Sequence, residues 1–317
     1  SALAARTRTR ADATQDGARA AALRHAEVVD ALAGFDYRID LPPLPATPAD
    51  GSLIKQGAEL AREAETMIGR SPRGVTARAL AEQWEQTFGL VAAAVELPDG
   101  LDGLSWDSGD FRLILVARTH LWTRQRFTLA HELGHILAGD AVERPLAEHV
   151  TPSTDQALAE VRANAFAAEL LMPRSELLET VTAHARLDKQ ALLSLSWEYL
   201  VSPSAMATRL HALEIISDDE RRQWSACTTR MAALHTGDPG PHMQYAQQAD
   251  DGWYSTRLAK LAISAYVHGD ISIRLVATVT GMDPDQLLDL FHPGPDTLDD
   301  GPHGTSATSP AELAFSP

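Results

Sequence analysis

The chain has 317 residues, 44% of them hydrophobic and 22% charged, with a formal net charge of −16 at pH 7 and a sequence pI near 5.1. That balance suits a soluble globular protein of one large or two modest domains and argues against a general nucleic-acid coat, although a local basic face stays open. The single Cys227 excludes an intramolecular disulfide framework and a cysteine-based zinc site. With no apolar run long enough to span a membrane, a cytoplasmic protein is expected.

Residues 1–20, rich in Ala, Arg, Thr and Asp, are expected to be disordered or a frayed helix. Residues 17–34 read as a helix that Gly34 ends. Leu41 to Pro48 carries four prolines and reads as an extended linker. Leu53–Ile68 has the spacing of an amphipathic helix. Ser71-Pro-Arg-Gly is a turn, and Thr76 is placed to cap a second helix, Ala77–Phe88. Three short strands follow at Leu90–Glu96, Gly103–Asp107 and Phe111–Ala117, separated by Asp-Gly and Ser-Gly-Asp turns. They are expected to form a small antiparallel sheet. Its strand Phe111–Ala117, or that strand's neighbour, is the candidate edge for binding a substrate backbone.

The next segment carries the chemistry. Thr128 to Asp140 contains His131-Glu132-Leu-Gly-His135 within a helical pattern. Residues four apart lie one above the other on a helix, so His131 and His135 can reach one metal ion. Glu132 lies about 100° further round and can touch a water beside the metal without ligating it. Leu129, Leu133, Ile136 and Leu137 form the apolar stripe that anchors the helix, with Thr128 or the basic stretch before it as the start and Gly139 as the C-terminal cap.

A zinc site needs a third protein ligand. The spacing that places one six residues after the second histidine is closed, because Ala138 and Ala141 stand where Gly and His would be needed. The helix from Asp155 to Pro173 offers Glu160, with Asn164 four residues on and able to accept a hydrogen bond from a ligand histidine's outer nitrogen. Glu169, the rival on the same helix, is about 180° from Glu160 by helical phase, so both cannot face one ion. Glu160 is preferred because Asn164 fits it.

The block Arg124-Gln-Arg-Phe-Thr-Leu-Ala-His-Glu-Leu-Gly-His135 is followed by Glu160-Val-Arg-Ala-Asn164-Ala-Phe-Ala-Ala-Glu-Leu-Leu-Met-Pro173. With the apolar strand just before them, these blocks resemble the ImmA/IrrE family of metallopeptidases over about residues 53–215. The resemblance implies a thermolysin-like zinc peptidase with ligands His131, His135 and Glu160, Glu132 as base, and Asn164 behind the ligands. It implies a role in cleaving or inactivating helix-turn-helix repressors and so switching on stress, phage or mobile-element genes. One departure is Ala117, where relatives usually carry Asn. A helix-turn-helix domain often precedes such a linker in relatives. Here it is expected upstream or absent. Zinc is the default metal, and manganese or another divalent ion also suits imidazole and carboxylate donors.

Asp140–Thr154 is expected to be a loop flanking the metal. His149, Arg124, Arg126 and Tyr199 stand as open candidates for stabilising an oxyanion. Helices are expected at Arg174–Ala185 and Lys189–Tyr199. After them a turn and helix over Val201–Ile215 have helix-turn-helix spacing, but Arg209 and His211 are the only cations on the second helix. That is little charge for a DNA reader, so packing or substrate docking is expected of this unit. A polar helix opens at Asp218 and closes at Thr236–Pro241. Helices Trp253–His268, Ile271–Thr280 and Asp283–Phe291 then form a module suited to binding protein, and disorder is expected from Pro293.

The expected fold is α+β, a mostly helical zincin-like domain with a small antiparallel sheet and a helical C-terminal module. Its divisions are 1–51 (flexible segment and linker), 52–216 (peptidase), 217–292 (helical module) and 293–317 (tail). The expected function is zinc-dependent hydrolysis of a peptide bond in a helix-turn-helix repressor. The alternatives are a transcriptional regulator that binds DNA and an anti-repressor that holds a partner protein without cutting it.

Overall fold

The computed structural model describes residues 2–141, 154–182 and 187–291. His149, with residues 142–153 of its expected loop, and the expected tail from Pro293 lie outside them. The first half of the chain runs α1 (Ala2–Ala33), α2 (Leu53–Ile68), α3 (Ala77–Phe88), β1 (Leu90–Val95), β2 (Gly103–Asp107), β3 (Arg112–Ala117) and α4 (Trp122–Ala138). The second runs α5 (Thr154–Leu171), α6 (Arg174–Thr182), α7 (Lys189–Glu198), α8 (Pro203–Ala212), α9 (Asp218–Trp224), α10 (Thr229–His235), α11 (Gly240–Asp251), α12 (Thr256–Val267), α13 (Ile273–Thr280) and α14 (Pro284–Phe291). The fold is α+β and mostly helical.

The sheet is mixed, which corrects the antiparallel expectation. Its order is β1-β3-β2, with β1 parallel to β3 and β2 antiparallel to it. The cause lies in the side chains. Leu113, Ile114, Leu115 and Val116 are all fully buried, so β3 is apolar on both faces and takes the centre. In β2, Leu104 and Trp106 face one side while Gly103, Ser105 and Asp107 face the other, and that strand takes an edge. The central place of β3 also removes it as a strand onto which a peptide could add. Its neighbour β2 has an outer edge that pairs with no strand among the described residues.

Two cores form, one on each face. Leu90, Ala92, Ala94, Ile114 and Val116 pack with the buried residues of α2, α3, α4, α5, α7 and α8. Val91, Ala93, Leu113 and Leu115 pack with α1, α12 and α13 on the opposite face. The result is three layers, helices on both sides of a sheet.

The helix α2 fits its sequence closely. Ser52 Oγ caps it by accepting from the Lys55 amide, and Gly69 closes it in the left-handed region at φ 70°. It lies against α5 at Gly57, where an added Cβ would stand 2.4 Å from the Arg162 carbonyl oxygen and 2.9 Å from the Phe166 nitrogen. Neither neighbour is a flexible side chain, so a methyl group must push the helices α2 and α5 away from each other. Gly57→Ala is expected to lower stability by about 1–3 kcal/mol, read as a fall in the urea midpoint. An unchanged midpoint would contradict this packing.

Three boundaries differ from expectation. The first helix starts at Ala2 rather than near residue 17, consistent with its Ala- and Arg-rich sequence. Thr236 closes a helix as expected, but the single helix expected from Asp218 is two, α9 and α10, and a further helix, α11, follows at once. Pro241 lies in the first turn of α11, where a missing N–H costs nothing. Trp253 is extended rather than helical. Its backbone exchanges hydrogen bonds with Ala94 at 2.8 and 3.3 Å, joining the outer edge of β1. Gln125 of α4 anchors the same corner: its Nε2 donates to the Ala117 and Ala249 carbonyls, and its Oε1 accepts from Trp253 Nε1.

Candidate metal centre

Helix α4 is held rigidly before it carries any chemistry. Its start is Trp122, so Thr128 is an interior residue. Leu129, Leu133, Ile136 and Leu137 are buried as the stripe required. Arg126, only 1% exposed, donates to the carbonyls of Pro72 (2.6 Å), Val75 (2.8 Å) and Leu200 (3.2 Å). It is a packing residue, occupied on every arm. Gly134 allows α5 to approach, since a Cβ there would meet the Phe166 ring at 3.0 Å.

That approach brings Glu160 to the histidines. His131 Nε2 lies 3.2 Å from Glu160 Oε2, His135 Nε2 3.4 Å from Glu160 Oε1, and the two Nε2 atoms are 3.1 Å apart. One atom from each of the three residues falls within 4.8 Å of the others, a grouping that could hold a metal ion. The donor chemistry fits: two imidazoles and a carboxylate are the three protein ligands of a catalytic zinc site with a position left open. The histidine side chains are 15% and 12% exposed and Glu160 is 58% exposed, so the open side faces solvent.

The outer nitrogens are also addressed. His131 Nδ1 lies 3.2 Å from Asn164 Oδ1. Donation of the Nδ1 proton to that oxygen leaves the Nε2 lone pair directed inward. Burial and the neighbouring His131 pull the His135 pKa below its ordinary value, opposed by Glu160 and Asp140. Both effects favour a neutral ring, the form that ligates metals.

Glu132 sits beside the cluster, buried against β2. Ser105 Oγ donates to its Oε2 at 2.7 Å. Gly103 lies so close that a Cβ would stand 2.6 Å from Thr128 Cγ2 and 3.1 Å from Glu132 Oε1. Burial pushes the Glu132 pKa up to about 7, with the Ser105 hydroxyl lowering it and the Glu160 charge raising it. A divalent cation at the cluster would favour the carboxylate and oppose this rise.

Residues 88–211 match the family model described as an IrrE N-terminal-like domain, of the M78 peptidases. Over those residues the chain is similar to ImmA/IrrE-family metallopeptidase domains. No curated protein matches the chain. The matched stretch of this IrrE-like domain holds the strands, α4, α5 and the helix pair α7–α8.

The other candidates fall away from the IrrE-like cluster. Glu169 is buried in ion pairs with Arg209 and, at 3.8 Å, with Arg62. Tyr199 is buried, with its hydroxyl 3.2 Å from Thr180 and Arg73 over its ring. Arg124 is exposed and pairs with Asp102 beside β2. Four contributors were not found from sequence. Ser105 and Gly103 alternate on the face of β2 turned to α4, a period-2 signal that appears once the facing helix is known. Asp140, which follows the cap glycine, and Arg162 on α5 contact each other across the two ligand-bearing helices.

Proposed function

We propose that this chain is a zinc-dependent endopeptidase that hydrolyses a peptide bond in a protein substrate. The observation that carries the reading is the convergence of His131, His135 and Glu160 beside the buried carboxyl of Glu132. In it His131, His135 and Glu160 are the metal ligands, Glu132 is the catalytic residue, and Asn164 orients His131. Zinc bound there would polarise the scissile carbonyl and acidify the attacking water. Glu132 takes the proton from that water and delivers it to the departing amine nitrogen. Ser105 holds one carboxyl oxygen of Glu132 and leaves the other for this transfer. The substrate backbone adds to the outer edge of β2, next to Glu132.

The proposed substrate class is a helix-turn-helix transcriptional repressor, cut in a stress or mobile-element response in the cytoplasm. Residues 52–216 are the catalytic unit in this reading, and 217–292 a helical module. The family of residues 88–211 supports a peptidase. The DNA-binding alternative has weak support in α8, because Arg209 is committed to Glu169, and His211 lies 3.9 Å from Asp218. No helix of the described residues is long and apolar enough to cross a membrane.

The test is to incubate the zinc-loaded chain with purified helix-turn-helix repressors and follow intact masses. Two fragments summing to one repressor plus one water, absent with a chelator, are expected. A stable complex without fragments would move the assignment to an anti-repressor acting by sequestration.

A further inference from the structure

The second histidine has a partner built from both ligand-bearing helices. Gly139 turns the chain at φ 72°, and the Asp140 amide donates back to the His135 carbonyl at 2.9 Å. This cap folds the Asp140 side chain against the outer side of the His135 ring, with Oδ2 3.9 Å from Nδ1. Arg162 of α5, two residues beyond Glu160, donates to both Asp140 oxygens, the longer contact being 2.6 Å. The Arg162 Nη1 also donates to Gln56 of α2 at 3.3 Å. Both Asp140 and Arg162 are largely buried, their side chains 19% and 16% exposed.

We propose that Asp140, aimed by Arg162, is a positioning residue for His135 in the metal site. The inference rests on the metal reading above. At 3.9 Å the carboxylate is too far for a direct hydrogen bond, and its effect on the ring is electrostatic. A negative charge beside Nδ1 favours the proton there and leaves the Nε2 lone pair facing Glu160. Asn164 stands in the equivalent place behind His131. The ion pair has a second consequence. It ties the C-terminal end of α4 to α5, and so fixes the spacing between the two histidines and Glu160. Asp140 therefore acts on the site indirectly, through the His135 ring and through the helix spacing its ion pair holds.

The test uses the full chain with Asp140→Ala, Asp140→Asn and Arg162→Gln. Zinc affinity is measured by competition with a chromogenic chelator, and the visible spectrum is recorded at saturating cobalt(II). Thermal unfolding in EDTA reports the fold. Asp140→Ala is expected to weaken zinc binding about 10- to 100-fold and to shift the cobalt band, with Asn recovering some of the affinity and Arg162→Gln falling between. A merely structural role would lower the unfolding temperature in EDTA and leave the saturated cobalt band where it was, and that overturns the proposal. So does zinc affinity in all three variants equal to wild type. Should Asp140→Ala fail to fold, the isosteric Asn variant decides by the same two readouts. If the folded wild-type chain binds no zinc or cobalt(II), the metal reading falls and this inference falls with it. Metal binding in wild type that is indifferent to Asp140 overturns this inference alone.

Discussion

Glu132→Gln is expected to keep the metal and to slow peptide hydrolysis by about 10²- to 10⁴-fold, the usual weight of a positioned general base. The carboxamide has the same shape, and its oxygen still accepts from Ser105 Oγ, which donates to Glu132 at 2.7 Å. What it lacks is the ability to take a proton and return it. Packing around the position leaves little room for substitution by another base, since Gly103 of β2 stands against the carboxyl. The measurement is the single-turnover rate of fragment formation from a cleaved repressor, with metal content determined on the same sample. Cleavage at the wild-type rate would remove Glu132 from the chemistry.

Arg126→Leu is expected to be among the most destabilising single changes, at about 3–5 kcal/mol. The guanidinium is buried, and among the described residues it forms no ion pair with a carboxylate. Burial pulls its pKa down to about 9, so it is still protonated at neutral pH. Its charge is met by the carbonyls of Pro72, Val75 and Leu200, from two separate stretches of chain. Leucine would take this donor from all three oxygens and leave the Pro72 oxygen with the Val75 amide, 3.1 Å away, as its remaining partner. Lysine would restore the charge with one compact head that cannot span three acceptors, and is expected to recover a minor share of the loss. Urea unfolding of the metal-free proteins reads both variants. A leucine variant within about 1 kcal/mol of wild type would mean that water reaches those carbonyls.

The four-residue spacings explain why the site could be read so far from sequence. His131 and His135, and then Glu160 and Asn164, each share a helix face wherever their helices go. The structure brings the two faces together. The contacts of Ser105, Asp140 and Arg162 depend on which helix meets which strand, and no local period reports that. The sheet shows the same division. Strand positions follow from apolar runs bounded by Asp-Gly turns, but strand order depends on burial of both faces. The unbroken Leu113–Val116 run, against the alternating β2, held that information. The helix α11 was not legible because proline both ends helices and begins them, and only the following residues show that Pro241 also begins one.

In the proposed site α4 and α5 together hold one metal ion. Elemental analysis of the purified chain, with His131→Ala and Glu160→Ala beside it, tests this most directly. About one zinc per wild-type chain is expected, lost from both variants. Folded wild-type protein that takes up no metal from added zinc would contradict it. Metal that survives Glu160→Ala unchanged would contradict the assignment of Glu160 as the third ligand.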